Sequence, residues 1–157
     1  MKRALGFGIA AAAVAANLLA QPLLMRLRPA AIIPGLADFE PAWNHGVSFG
    51  LLIQNSETGR YVLMAVLAAI SAAVAAMAWR ATARLSVIAY GLILGGALGN
   101  LIDRVRFEGA VFDFLFLHLG RTPLFVCNLP DIAISAGVVL LFAEALLEAR
   151  HPKAGSA

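Results

Sequence analysis

Charge is scarce in this chain. Only 13% of its 157 residues are charged and 61% are hydrophobic, against roughly 25% and 45–50% in an ordinary soluble domain. That balance excludes a water-solvated fold and calls for lipid as the solvent. Cysteine is almost absent: Cys127 stands alone, which excludes an intramolecular disulfide and a cysteine-based metal cluster. The three histidines, His45, His118 and His151, lie too far apart for ligand spacing, so a metal site is not expected. The 12 Lys and Arg outnumber the 9 Asp and Glu. These cations stand at the ends of apolar runs and form no stripe, so the basic balance does not indicate nucleic acid. No repeat, low-complexity tract or second domain is visible, and residues 1–157 read as one integral membrane domain.

Four apolar runs reach spanning length, at residues 5–25, 61–79, 85–101 and 127–147. Lys2 and Arg3 ahead of an Ala-rich stretch resemble a secretory signal. The run continues through Leu23, Leu24 and Met25, however, and reads as an uncleaved first helix. Tyr61 and Trp79 bracket the second run as interfacial aromatics. Its alanines (Ala65, Ala68, Ala72, Ala76) are small enough for close helix packing in lipid.

Four crossings return both termini to one side. With termini in the cytoplasm, Lys2, Arg3, Arg80, Arg84, Arg150 and Lys153 lie inside, and Arg26, Arg28, Arg60, Arg104, Arg106 and Arg121 lie outside. The numbers are even, but the inner group crowds the tail and the short 80–84 loop, which favours this orientation. The loops 26–60 and 102–126 are then extracytoplasmic. Pro29, Pro34, Gly35 and Pro41 break any helix in the first loop, while residues 48–53 and 110–116 have strand character. The expected fold is an all-α membrane protein of four transmembrane helices with a small extracytoplasmic β-sheet or loop subdomain.

Polar chemistry gathers at the edge of these runs, where ionisable groups are costly and usually functional. Asp113, in Val-Phe-Asp-Phe-Leu, is poorly solvated, which raises a carboxyl pKa. Asp131 follows Asn128 by three residues at a helix start, a spacing that also suits simple capping. If the two meet, they cannot both ionise, and one holds a proton while the other activates a water. Asn100, Arg104 and Asn128 supply a supporting shell, and Asp103 reads as a local salt bridge or helix-end contact. Asn44 and Gly46 belong to a tight turn, Asn-His-Gly-Val-Ser-Phe-Gly. His45 reads as an exposed loop residue, Ser48 lacks triad partners, and Cys127 reads as a buried apolar residue. The helix interiors hold no acid, which speaks against a small four-helix transporter.

Four motifs in order, Asn-x-Gly-x-x-Phe-Gly (44–50), Gly-Gly-Ala-x-Gly-Asn-x-x-Asp-Arg (95–104), Val-x-Asp-Phe (111–114) and Asn-x-x-Asp (128–131), resemble those of lipoprotein signal peptidase (signal peptidase II). The resemblance covers nearly the whole chain. It implies a monomeric aspartic peptidase of the bacterial inner membrane, with membrane lipids and lipidated prolipoproteins as partners. Such an enzyme removes the signal peptide by cutting before the diacylglyceryl-modified cysteine. Asp113 and Asp131 would be the catalytic dyad, Asn44, Gly46, Asn100, Arg104 and Asn128 would bind substrate, and no metal or cofactor is implied. The chain departs from the family in its first helix. Family members commonly carry Asp-Gln-x-x-Lys there, and the best match is Asn17-Leu18-Leu19-Ala20-Gln21. That departure leaves a catalytically silent relative that only binds lipidated precursors as the alternative.

Overall fold

The computed structural model describes residues 2–46 and 57–150. Of four helices, α1 (Lys2–Leu24), α2 (Glu57–Arg80), α3 (Arg84–Arg106) and α4 (Leu129–Arg150), the first two and the last two are each joined through a β-hairpin. At 1.5 Å per residue, their 22 to 24 residues run about 33–36 Å, enough to cross a hydrocarbon core of about 30 Å. The hairpins are β1 (Ala30–Ile33) with β2 (Ala37–Asn44), and β3 (Val111–Leu119) with β4 (Thr122–Cys127). They join through β2 and β3 into one antiparallel sheet, ordered β1-β2-β3-β4. The sheet stands at the end of the bundle where α1 and α3 finish and α2 and α4 begin.

The third helix is the hub. In its membrane-crossing window 39% of residues are buried, against 6% in α4, because α3 packs against all three other helices. Small residues make this possible, since lipid supplies no hydrophobic drive and close approach must hold the helices together. A Cβ at Gly95 would lie 2.7 Å from both the Ala10 carbonyl oxygen and the Ala13 Cβ of α1. At the far end Lys2 Nζ donates to the Thr82 carbonyl (2.7 Å), and the Arg3 guanidinium lies 4.4 Å from the Trp79 ring centroid.

Several boundaries differ from the sequence expectation. The third helix runs on from 101 to Arg106 and thereby carries Asp103 and Arg104 on a regular helical surface. The fourth begins at Leu129 because Cys127 closes β4 and Asn128 caps the helix. Strand character at 110–116 corresponds to β3, whereas 48–53 lies outside the described residues. The prolines of 26–44 do exclude a helix, but strands form among them. Gly35, with φ +79°, makes the β1–β2 turn, and Pro41, which cannot donate to a ladder, sits where the β2–β3 register slips between Phe39 and Ala42.

The Gly95 contact generates a test. Gly95→Ala should destabilise the detergent-solubilised chain by about 1–3 kcal/mol, the usual cost of overpacking. Gly8→Ala, on a face of α1 with nothing within 4 Å of the added carbon, should not. Equal melting temperatures for the two variants would show that α1 and α3 do not meet this closely.

Candidate active site

Strand alternation brings the first carboxylate into place. Along β3, Val111, Asp113, Leu115 and Leu117 line the cavities on one side of the strand. Phe112 and Phe114 instead join an aromatic cluster with Trp43 and Phe39. Asp113 is only 2% exposed. Its two oxygens take amide hydrogens from neighbouring elements: Asn128 Nδ2 donates to Oδ1 (2.7 Å) and Asn44 Nδ2 to Oδ2 (3.0 Å). Asn44 is itself fixed by the Gly46 backbone N–H, which donates to its Oδ1 at 3.0 Å.

The second carboxylate is set by helix capping. Asn128 Oδ1 accepts from the Asp131 N–H (2.9 Å), and Asp131 Oδ2 accepts from the Asn128 N–H (3.3 Å). This is a reciprocal capping box, with the acid three residues into the helix. The other oxygen, Asp131 Oδ1, accepts from Asn100 Nδ2 at 2.8 Å. Asn100 Oδ1 in turn accepts from Asn128 Nδ2 at 3.1 Å. Capping and membership of a polar cluster are therefore compatible roles for Asp131. A single side chain, Asn128, 1% exposed, touches both acidic residues.

Arg104 closes the site from α3. Its Nη2 donates to the Gly46 carbonyl and its Nη1 to the Asn100 carbonyl (3.4 Å), while its buried Nε has no partner among the described residues. Asn44, Asn100, Arg104, Val111, Asp113, Asn128 and Asp131 together line a cleft of about 10 Å³, room for about one water molecule. Beside it opens an apolar cavity of about 440 Å³, whose wall includes Leu115, Leu117, Phe125, Ile132, Val139 and, at its polar edge, Asp131.

Burial, the first cause, and the nearby Asp131 charge push the Asp113 carboxyl up to about 6, against the opposing pull of Asn44, Asn128 and Arg104. The Cys127 thiol, buried and then repelled by both carboxylates, is pushed up to about 11. It stays a thiol at neutral pH and offers no nucleophile.

All the residues singled out in the sequence for the site thus meet in one place, with Gly46 contributing its backbone. His45 is exposed, as expected, and Ser48 lies outside the described residues. Asp103 differs from expectation. It is 0% exposed, and its hydrogen-bond donors come from α1 rather than from a neighbouring charge: Gln21 Nε2 at 2.7 Å and Asn17 Nδ2 at 3.3 and 3.4 Å. Gln21 was the residue overlooked. The signal was two amides four apart in an otherwise apolar helix, which places them on one face.

Known proteins share this sequence and this fold. The family model for signal peptidase (SPase) II matches residues 9–147. The lipoprotein signal peptidase of Rhizorhabdus wittichii is 42% identical over 159 aligned positions, covering 98% of this chain and 91% of the relative. That of Methylorubrum extorquens is 46% identical over 135, covering 85% and 75%. A solved bacterial membrane enzyme structure superimposes with a TM-score of 0.75 at 21% identity, covering 97% of this chain and 93% of that one. It has the same fold.

The raised Asp113 predicts a signature in stability. Between the ordinary carboxyl value of 3.8 and about 6, the folded chain keeps a proton that the unfolded chain has lost. Its contribution to stability therefore falls as pH rises through that window. Melting temperatures of the parent and of Asp113→Asn, measured from pH 4 to 7.5, should show a steeper decline in the parent. Parallel curves would mean that Asp113 titrates normally.

Proposed function

The chain belongs to the signal peptidase II family of aspartic peptidases, and on that premise we propose that Asp113 and Asp131 form a dyad that hydrolyses the peptide bond before the lipidated cysteine of a prolipoprotein. The observation that carries this reading is the shared amide. Asn128 binds Asp113 with its side-chain N–H and boxes Asp131 with its oxygen and backbone, so two acids face one water-sized cleft.

Like charges this close share one proton between them, and the pair titrates as a unit. The ionised member takes a proton from water, and the water oxygen attacks the scissile carbonyl carbon. The protonated member gives its proton to the carbonyl oxygen, forming a tetrahedral gem-diol. Collapse breaks the C–N bond as a proton passes to the leaving nitrogen. The products are the signal peptide's new carboxyl terminus and a free α-amino group on the lipid-bearing cysteine. Asn44, Asn100 and Asn128 hold the carboxylates in register. Arg104 and the Gly46 backbone hold the substrate backbone. The apolar cavity beside Asp131 suits a substrate that arrives laterally through lipid.

The chain is a multi-pass protein of the bacterial inner membrane. We place the dyad at its extracytoplasmic face and both termini in the cytoplasm, because Lys2, Arg3, Arg80, Arg84 and Arg150 gather at the opposite end. We also read residues 1–157 as one membrane peptidase domain that acts as a monomer. Transport has no support among the described residues: Glu144, the acid nearest a helix interior, is held by Ser86 at the end away from the cleft.

Purified protein incubated with a diacylglyceryl-prolipoprotein should release the signal peptide. Asp113→Asn and Asp131→Asn should each reduce turnover by about 10²–10⁴-fold, the span of positioned acid–base catalysis, while the precursor still binds. Turnover of the parent should follow a bell-shaped pH profile. Cleavage that survives either change would remove the dyad from the mechanism. A precursor bound but not cut by the parent would favour the silent binder.

A further inference from the structure

Below the cleft, at the same end of the bundle, lies a second polar cluster that the dyad chemistry does not use. Asp103 of α3 is completely buried. Its carboxylate accepts from Gln21 Nε2 and Asn17 Nδ2 of α1, both residues themselves buried. Gln21 is engaged at both ends, because its Oε1 accepts from Arg106 Nη1 at 3.0 Å. The cluster therefore runs Asn17, Asp103, Gln21, Arg106, with one neutral amide, Gln21, between the acid and the cation and a second, Asn17, on the acid's other side.

Its position gives it leverage. Asp103 lies three residues after Asn100, which donates to Asp131, and immediately before Arg104, which holds the Gly46 carbonyl. The same turn carries the end of α3, where the Phe107 N–H donates to the Asp103 carbonyl (2.8 Å) and the Gly109 N–H to the Arg104 carbonyl (2.7 Å). Small displacements of that turn move the donor on one dyad member and the clamp on the substrate strand together. We propose that Asn17 and Gln21 are positioning residues: as a matched amide pair they lock Asp103, and through it fix Asn100 and Arg104 for catalysis. This rests on the peptidase reading above.

Matching makes the idea specific. Asn17→Asp replaces a donor with an acceptor facing both Asp103 oxygens, and two carboxylates there repel or must trap a proton. Gln21→Lys sets an ammonium against the Arg106 guanidinium that the amide oxygen now accepts from. With both changes the new acid and the new base stand one turn apart on α1, and the ammonium that replaces the Gln21 amide against Asp103 offsets the carboxylate added at position 17. Single changes should harm, and the pair should compensate.

The test is cleavage of a diacylglyceryl-prolipoprotein at pH 8 by the full chain in detergent, well below the melting temperature of every variant. Asn17→Asp should lower kcat by about tenfold or more, the scale of one hydrogen bond to a charged group, with a smaller rise in KM. Adding Gln21→Lys should recover most of that loss. Parental kcat in Asn17→Asp, or a double variant no better than the worse single one, overturns the proposal. Should Asn17→Asp fail to fold, Asn17→Leu removes the amide without adding charge. A several-fold loss of kcat there supports the proposal, and parental kcat overturns it. A parent that cleaves nothing overturns the peptidase reading itself. An active parent with indifferent variants overturns only the positioning role.

Discussion

Three carboxylates, two fully buried and one half-buried, govern how this molecule is put together. Burying a charge without compensation costs far more than a single fold can supply, so Asp103, Asp113 and Asp131 each need donors on their oxygens. The donors are neutral amides: Asn17 and Gln21 for the first, Asn44 and Asn128 for the second, Asn100 and a backbone N–H for the third. The close contacts of carboxylates with basic side chains among the described residues, Arg60 with Glu57 and His118 with Asp38, involve partly exposed groups away from the cleft. The choice of amide over cation has a chemical consequence. A guanidinium bonded to an acid would hold it ionised, whereas an amide solvates it and still lets it carry a proton. An acid that must both give and take protons needs the second kind of neighbour.

Those donors come from four different elements, and this links the site to the architecture. Asn44 ends β2, Asn100 lies on the last turns of α3, Asn128 caps α4, and Asn17 and Gln21 face inward from α1. The sheet cannot slide on the bundle without breaking the bonds on Asp113. Nor can α3 shift along α1 without opening Asp103. The close contacts of α3 set the helices at the separation these bonds require. Packing and polar satisfaction therefore select the same arrangement, the agreement between levels that specifies a single structure.

Much of this was readable in the residues, and the failures have physical causes. Long apolar runs identify spanning helices because lipid demands them, so all four were visible. The end of α3 was not, because Asp103, Arg104 and Arg106 look like a loop until their partners are known. The partners of Asp103 and Arg106 lie on α1, 82 to 86 residues away. Strand β1 is Ala-Ala-Ile-Ile, exposed throughout and without alternation. Pairing with β2 decides it, and no local pattern announces that. The clustered acids and their asparagines were legible because amides and acids are rare in so apolar a chain. Whether Asp131 caps a helix or joins a cluster could not be decided from spacing, since a carboxylate has two oxygens and here uses one for each.

That division of labour explains why so small a site can be both rigid and titratable. A side chain free to rotate would lose several kcal/mol of catalytic advantage to disorder. A side chain buried under bonds that tolerate only one charge state could not titrate. Asp131 is immobilised through the capping box, which costs the helix nothing because its first N–H groups need acceptors in any case. Asp113 is immobilised by the sheet ladder and by two amides that accept either charge state. Order is thus obtained from interactions the fold already requires, and the proton affinity of the site is left to burial and to the mutual repulsion of the acids.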